Sequence, residues 1–266
     1  MNQKNLDYLK DGLKYMGFGE GLNNKLMEEV AKGDPEFRLN TVNKYGKDKV
    51  NYALDFSKSD QSDMYFFNRY TASLNTNGDE RSQTFYVKKN HGITAKEAYN
   101  LLSGRSVNKD LLSAEDKPYN AWMQIDWNSK DDNGNHKIKM MHQAYGFDLE
   151  KELAKHPIKE TMEPISKERL MQSLERGNRH QVTFVNADRE DKMFIEANPQ
   201  FKTLNVYDAN QKKVFVDLGR KEAPASKEMA VAEPEKKREE KKEVKADNDE
   251  EGPSQGKRNF TKKKAL

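Results

Sequence analysis

The sequence contains no cysteine among its 266 residues, and apolar residues make up only 34% of it. The missing cysteine excludes disulfides, thiolate metal sites and thiol nucleophiles. No run approaches the roughly 18 apolar residues of a membrane span, and the N-terminus lacks the apolar stretch of a signal peptide. These absences predict a cytoplasmic chain with no membrane partner.

Catalytic motifs are missing as well. The sequence has no GxSxG elbow, no Walker loop and neither an HExxH nor an HRD element, which mark common hydrolases, nucleotide-binding enzymes, metalloproteases and kinases. His136 and His142 fall on the same face of a predicted strand, six residues apart. At a rise of about 3.3 Å per residue, this spacing separates them too widely to bind one metal ion. We therefore expect no enzyme, no cofactor and no metal, while a hydrolase with a discontinuous site stays open.

Charge is concentrated at the C-terminus. Residues 221–266 contain 13 Lys or Arg and 11 Asp or Glu, a net +2, which leaves +1 of the total +3 for residues 1–220. A segment with so few apolar residues cannot offset its ordering entropy, so we predict a disordered charged tail. The cations clustered at the end of the tail indicate one of two roles. The end is either a solvated terminus, or it is a basic anchor that binds nucleic acid or an acidic partner. The cations concerned are Lys257, Arg258, Lys262, Lys263 and Lys264.

Hydrophobic periodicity predicts an α+β fold of antiparallel hairpins and short helices. Two N-terminal helices are predicted in residues 1–36, and alternating segments predict hairpins at 37–56, 64–88 and 119–145. The pair Thr94 and Glu97 predicts a capping box at the start of a helix, a second helix is predicted around residues 149–155, and Ser166 is expected to cap a third. A meander of short strands follows. The chain is predicted to consist of four segments. Residues 1–36 form a helical segment, residues 37–157 an α+β lobe with two hairpin–helix units, residues 158–220 a lobe of one helix and a meander, and residues 221–266 the tail.

The hairpin at 64–88 carries the candidate binding residues. Strict alternation places Tyr65, Phe67 and Arg69 on one face of the sheet, together with Tyr86 and Lys88 from the second strand. Rings interleaved with cations on an open sheet face suit single-stranded nucleic acid, because bases stack on the rings while the cations follow phosphate. The competing interpretation is that a helix covers this face and the rings belong to the core.

Several segments resemble an uncharacterised family of domains found in Bacteroides-type bacteria, often on conjugative and other mobile elements. The resemblance covers roughly residues 37–217 and is carried by YFFNRYTASL, QTFYVKK, GITAKEAYNLLSGRSVNKDL and MFIEANPQFKTLNVYD. The family supplies no activity and no catalytic residue. The resemblance implies a cytoplasmic accessory protein of a mobile element.

Two hypotheses about function follow. The first is a non-enzymatic protein that binds single-stranded or structured nucleic acid through the aromatic and cationic face and the basic tail end. The second is a protein-interaction module, in which open sheet edges or the segment 198–207 dock a partner chain, from the same mobile element, by strand addition.

Overall fold

The structure, a computed structural model, describes residues 2–76, 78–87, 92–113, 115–186 and 189–215. The chain divides into two units, Met1–Arg220 and Lys221–Leu266, and all described residues belong to the first. The predicted disordered tail therefore lies outside the described residues.

Two helices begin the chain. α1, Gln3–Tyr15, starts at Asn2, whose side chain accepts a hydrogen bond from the backbone N–H of Asn5. α2, Asn23–Lys32, ends at Gly33, where a φ of +80° favours glycine. Buried apolar residues recur every three or four residues in both helices, with Val30 following Leu26 in α2, so each helix buries one face. The buried leucines are Leu6, Leu9, Leu13 and Leu26.

The first sheet consists of four strands joined by consecutive antiparallel hairpins. The strands are β1, Glu36–Tyr45, β2, Asp48–Lys58, β3, Tyr65–Thr76, and β4, Asp79–Tyr86, and they lie in chain order. The two predicted hairpins at 37–56 and 64–88 are present in this sheet over its described residues.

α3, Ala95–Leu102, follows the sheet and begins with the predicted capping box. The Thr94 hydroxyl accepts from the backbone N–H of Glu97, and the Glu97 carboxylate accepts from the backbone N–H of Thr94 at 2.8 Å. α1 and α3 both pack on one face of the first sheet. There the hydroxyl of the buried Tyr52 donates to the carbonyl of Ala95 at 2.7 Å, so a core ring is also tied to the helix backbone.

A three-stranded sheet lies between two hydrophobic cores. Its strands are β5, Val107–Leu112, β6, Pro118–Lys130, and β7, His136–His142, in the order β5-β6-β7. Met123 faces the first core and Trp122 faces the second, because neighbouring residues of a strand point to opposite sides. β5 was not predicted, since VNKDLL shows no clear alternation.

The second core is built from two helices and a meander. α4, Leu149–Leu153, and α5, Pro164–Glu175, precede the strands β8, His180–Asn186, β9, Arg189–Asn198, β10, Thr203–Tyr207, and β11, Lys213–Val214. The strands lie in the order β11-β10-β9-β8, which is the predicted meander.

Ser166 does not cap α5, contrary to the prediction. The cap is Glu163 and the helix begins at Pro164, three residues earlier than predicted, because the fixed φ of proline suits the first helical position. Ser166 instead donates its hydroxyl hydrogen bond to the Glu163 carboxylate at 2.5 Å.

The prediction of a mixed α and β fold with antiparallel sheets is confirmed for the described residues. The division into lobes at residue 157 stays a prediction. The second core includes Leu149 and Leu153, which precede that position, as well as Trp122 of β6. No described helix is both long and apolar enough to span a bilayer.

Candidate functional site

A β-bulge at Asn68 decides which side chains of β3 reach the face of the first sheet that α1 and α3 leave uncovered, here called the open face. Asp55 pairs with Arg69 and Phe56 pairs with Phe67, so Asn68 is an extra residue on β3. An extra residue reverses the alternation of side chains beyond it. The faces predicted from strict alternation are therefore correct after the bulge and reversed before it.

The assignment of Tyr65 and Phe67 to a stacking surface is wrong. Tyr65 is 2% exposed, and its hydroxyl donates to the carbonyl of Asp34 at 2.6 Å. The Asn5 side chain binds both the N–H and the carbonyl of Tyr65, at 2.8 and 2.9 Å, as a neighbouring strand would. Phe67 packs against the first core with its ring stacked on Phe56, 5.0 Å between centroids. Tyr65 is therefore closed to a base, and the half-buried ring of Phe67 faces the core.

The bulge places Phe66 on the open face instead. Its side chain is 42% exposed, and that of Tyr86 on β4 is 53% exposed. Arg69 also lies on this face, with 49% of its side chain exposed. Of the predicted hairpin residues, Arg69 and Tyr86 are thus where a ligand could reach them, and Phe66 takes the place of the two buried rings.

Four polar or aromatic residues form a cross-strand row on the open face, one from each strand of the sheet. In order across the sheet they are Arg38, Asp55, Arg69 and Tyr86, each paired with the next in the strand register. The Nε of Arg38 donates to one Asp55 carboxylate oxygen at 2.5 Å, and the Nε of Arg69 donates to the other at 3.0 Å. One carboxylate therefore holds two guanidinium groups side by side.

The electrostatics of the row keep all three charges in place. Partial burial by itself would raise the pKa of Asp55, but hydrogen bonds from Arg38 and Arg69 outweigh it and hold that pKa below its ordinary value. The hydrogen bond to Asp55 raises the pKa of each arginine further. The three groups carry a net charge of +1 at neutral pH, which is concentrated on the two guanidinium groups, while the Glu36 carboxylate also lines the hollow beside them.

The row borders a hollow of about 500 Å³, which also includes Asn68 and Ser57. Further along the open face, pairs of hydroxyls face each other across β3 and β4, with 2.9 Å between the oxygens of Thr71 and Thr84. Small hydroxyl side chains leave this part of the sheet low and polar. An extended chain therefore has room to lie across the strands.

The remaining predicted cations cannot be placed. Lys88 and the five tail cations lie outside the described residues; the latter are Lys257, Arg258, Lys262, Lys263 and Lys264. The segment 198–207, predicted as a docking segment, contains β10, which pairs with β9 along its whole length and with β11 at Val206 and Tyr207. Most of its backbone is already used within the sheet.

Other chemistry is sparse over the described part of the chain. Its His, Asp and Glu side chains form no group of three that could hold a metal ion. His136 and His142 lie at opposite ends of β7.

No protein-family model, no curated protein and no solved structure matches this chain. The resemblance to a mobile-element domain family stays a prediction. The site is defined by its own geometry, which offers ring stacking and guanidinium contacts to a ligand on the open face.

Sequence reasoning missed Arg38, Asp55 and Phe66. The two row residues become neighbours of Arg69 only through the pairing of three strands, which a single sequence does not state. Strict alternation extended through Asn68 places Phe66 on the opposite face from Arg69, so it was not among the predicted binding residues. Asn68 was the available signal, since this polar residue interrupts the apolar face that strict alternation predicts.

Proposed function

We propose that this protein binds single-stranded nucleic acid on the open face of its first sheet. The observation that carries the proposal is that two exposed rings, Phe66 and Tyr86, lie on the same face as two arginines, Arg38 and Arg69. Bases stack on exposed rings at a gain of about 1–3 kcal/mol per base, and arginines contact the backbone between them.

The row leaves its arginines able to bind phosphate. Arg38 and Arg69 each use Nε for Asp55, and a guanidinium has further N–H donors in the same plane. Because the carboxylate fixes both groups, less side-chain entropy is lost when a phosphate arrives. Asp55 therefore positions the two cations and makes no ligand contact of its own in this proposal.

A single strand fits this surface better than a duplex. Rings reach bases only when the bases are unstacked and unpaired. Residues 1–220 carry a net charge of only +1, which gives little general attraction for a duplex backbone. Two phosphate contacts predict a shallow dependence on salt, with a slope of about −1.4 in log affinity against log salt for single strands.

The proposal extends to biological role. A non-enzymatic accessory protein of a mobile element, working in the cytoplasm, is the role that the family resemblance implies, and single-stranded DNA is the nucleic acid that such an element would present. This extension depends on the resemblance alone.

The first experiment tests the rings. Fluorescence anisotropy of a labelled mixed-sequence single-stranded oligonucleotide is measured with the full chain and with Phe66→Ala and Tyr86→Ala. Each variant is expected to weaken binding by about tenfold, because one stacking contact is removed. Tyr15→Ala is the control, since Tyr15 is 83% exposed on α1, away from the open face. Equal effects of Tyr15→Ala and Tyr86→Ala would contradict the proposal.

The second experiment tests the arginines by titration at about 50 and 200 mM salt. The double variant Arg38→Ala with Arg69→Ala is expected to lose affinity and most of the salt dependence. Arg189→Ala is the matched control, because Arg189 also bonds an aspartate through Nε and has 72% of its side chain exposed. An unchanged salt slope in the double variant would remove the phosphate contacts from the proposal.

A full-length variant with alanine at the five tail cations separates the tail from the sheet. If this variant loses all binding while the open-face variants keep it, the tail end is the nucleic-acid site and the open face is not. If the wild-type chain binds no oligonucleotide at all, the alternative of a protein partner docked by strand addition takes precedence. Its place would be the outer edge of β1, ten residues long and paired with β2 alone among the described strands.

A further inference from the structure

An open groove of about 1150 Å³ lies at the opposite end of the first sheet's strands from the cross-strand row. One wall is formed by the β1–β2 turn and by α3, including Tyr45, Lys47, Lys96 and Tyr99. The facing wall includes Asn178 and other residues that follow α5. The volume exceeds that of a single phosphate group and lies slightly above the range of sites for small organic ligands, roughly 300–1000 Å³, as suits a groove that is open to solvent.

The groove has an excess of positive charge. Its lining contains two carboxylates, Asp48 and Asp79, and five cations, which are Lys47, Arg81, Lys96, Arg105 and Arg179. Arg81 forms an ion pair with Asp79, and Arg179 forms one with Glu196, each at 3.0 Å. Within the described part of the chain, none of the ion pairs involves Lys47, Lys96 or Arg105.

Lys96 is held at the groove by two aromatic rings. Tyr45 and Tyr99 stack with 4.4 Å between centroids and 18° between planes. The Lys96 ammonium lies 4.5 Å from the centroid of Tyr45 and 4.6 Å from that of Tyr99. The rings attract the ammonium through their electron-rich faces but carry no net charge. The lysine is therefore oriented while its positive charge stays uncompensated.

Arg105 is fixed beside it by neutral groups. Its Nε donates to the carbonyl of Gly177 at 2.9 Å, and its Nη2 donates to the side chain of Asn100 at 2.6 Å. Asn100 is fully buried and donates in turn to the carbonyl of Arg176 at 2.6 Å. The guanidinium also lies 4.9 Å from the Tyr99 ring centroid. A buried amide thus holds the cation in place without neutralising it.

We propose that this groove is a binding site for a small phosphorylated ligand, whose phosphate lies between the Lys96 ammonium and the Arg105 guanidinium. Phosphate is the anion that suits a lysine together with an arginine, since it accepts several charge-assisted hydrogen bonds at once. The amide and hydroxyl groups elsewhere in the lining, such as Asn178 and Ser103, provide contacts for the sugar or base of a phosphosugar or nucleotide.

The electrostatic state of Lys96 supports this assignment. Burial lowers the pKa of Lys96, and the neighbouring Arg105 charge lowers it further. A phosphate bound between the two groups would replace this repulsion with attraction. The attraction of both cations to the bound anion therefore offsets the repulsion between them.

The test is isothermal titration calorimetry of the full chain with pyrophosphate, at constant ionic strength of about 0.15 M. Saturable binding of one pyrophosphate per chain is expected. Lys96→Gln is expected to weaken it by about tenfold, since one charge-assisted contact is lost. The groove walls partly enclose the Lys96 ammonium, but the residue as a whole lies on the exposed side of α3, so this change leaves the core intact. Lys4→Gln, on the exposed surface of α1, is the control and should bind as the wild type.

Arg105→Gln provides a second variant with the same expected loss. Adenosine diphosphate and ribose phosphate are titrated in parallel. The compound with the higher affinity shows whether the ligand is a nucleotide or a phosphosugar, provided that Lys96→Gln weakens its binding. Absence of saturable pyrophosphate binding, or equal binding by the wild type and Lys96→Gln, would overturn the proposal. Pyrophosphate binding tests this groove and oligonucleotide binding tests the open face, so the two proposals succeed or fail independently.

Discussion

Replacing Gly177 by alanine tests how closely the turn after α5 packs against the chain that follows α3. Gly177 follows α5 with a φ of +76°, and it meets the chain just after α3. A Cβ atom placed on it would lie 2.7 Å from the carbonyl oxygen of Ser106 and 2.9 Å from a methyl carbon of Val107. The first of these contacts is with backbone, which cannot move aside by a change of rotamer.

The expected cost has two parts. A positive φ costs an L-residue roughly 1–2 kcal/mol, and the loss of glycine entropy in the unfolded state returns about 0.4–1 kcal/mol. The overlap adds about 1–3 kcal/mol, the usual range for overpacking. We expect Gly177→Ala to lower the free energy of unfolding by about 3 kcal/mol in total.

Gly33→Ala separates the two parts. Gly33 has a similar φ of +80°, but a Cβ there would meet nothing within 4 Å. It should therefore cost about 1 kcal/mol, which is the strain less the entropy term. Urea unfolding followed by circular dichroism gives both values. If Gly177→Ala is no more destabilising than Gly33→Ala, the close packing at Gly177 is wrong. Because Gly177 accepts the Nε bond of Arg105, its alanine variant should also bind pyrophosphate more weakly, whereas Gly33→Ala should not.

Two further predictions concern buried polar groups. Asn5→Ala removes both hydrogen bonds to the backbone of Tyr65. Because two buried backbone groups lose their partners, it should lower the free energy of unfolding by about 2–4 kcal/mol. A loss below about 0.5 kcal/mol in urea unfolding would mean that these bonds are not formed. Burial lowers the pKa of His156, and the Glu152 carboxylate at 3.8 Å only partly opposes this. Burial likewise lowers the pKa of His180. Both rings are therefore more easily protonated in the unfolded chain, so stability is full above the ordinary histidine pKa of 6.5 and falls as the pH drops through and below it. The urea midpoint should decrease between about pH 7.5 and 5.5, and His156→Leu should reduce that decrease; an unchanged slope would contradict the buried neutral state of His156.

Much of the secondary structure could be predicted from local patterns. The alternation in β1 and β2 and the capping box of Thr94 and Glu97 are properties of a few adjacent residues, and the structure confirms them. The start of α5 was missed by three residues, because serine and proline signals compete there. β5 was missed altogether, because an edge strand with little alternation gains its form from pairing with β6.

The candidate sites depend on contacts that sequence patterns do not contain. The prediction that Arg69 and Tyr86 share a face was correct, because no irregularity lies between their paired strands. The prediction for Tyr65 and Phe67 was wrong, because one bulge residue reversed their direction. No local pattern relates Lys96 to Arg105 or to Asn178.

The sequence by itself determined the absence of cysteine chemistry, the positions of most hairpins and the charged nature of the last 46 residues, 221–266. These features depend on composition or on neighbours along the chain. Only the tertiary structure decided which rings are exposed and which cations lack a carboxylate. Exposure and ion pairing depend on strand register, on one bulge and on the approach of segments some 70 residues apart, such as Arg105 and Gly177.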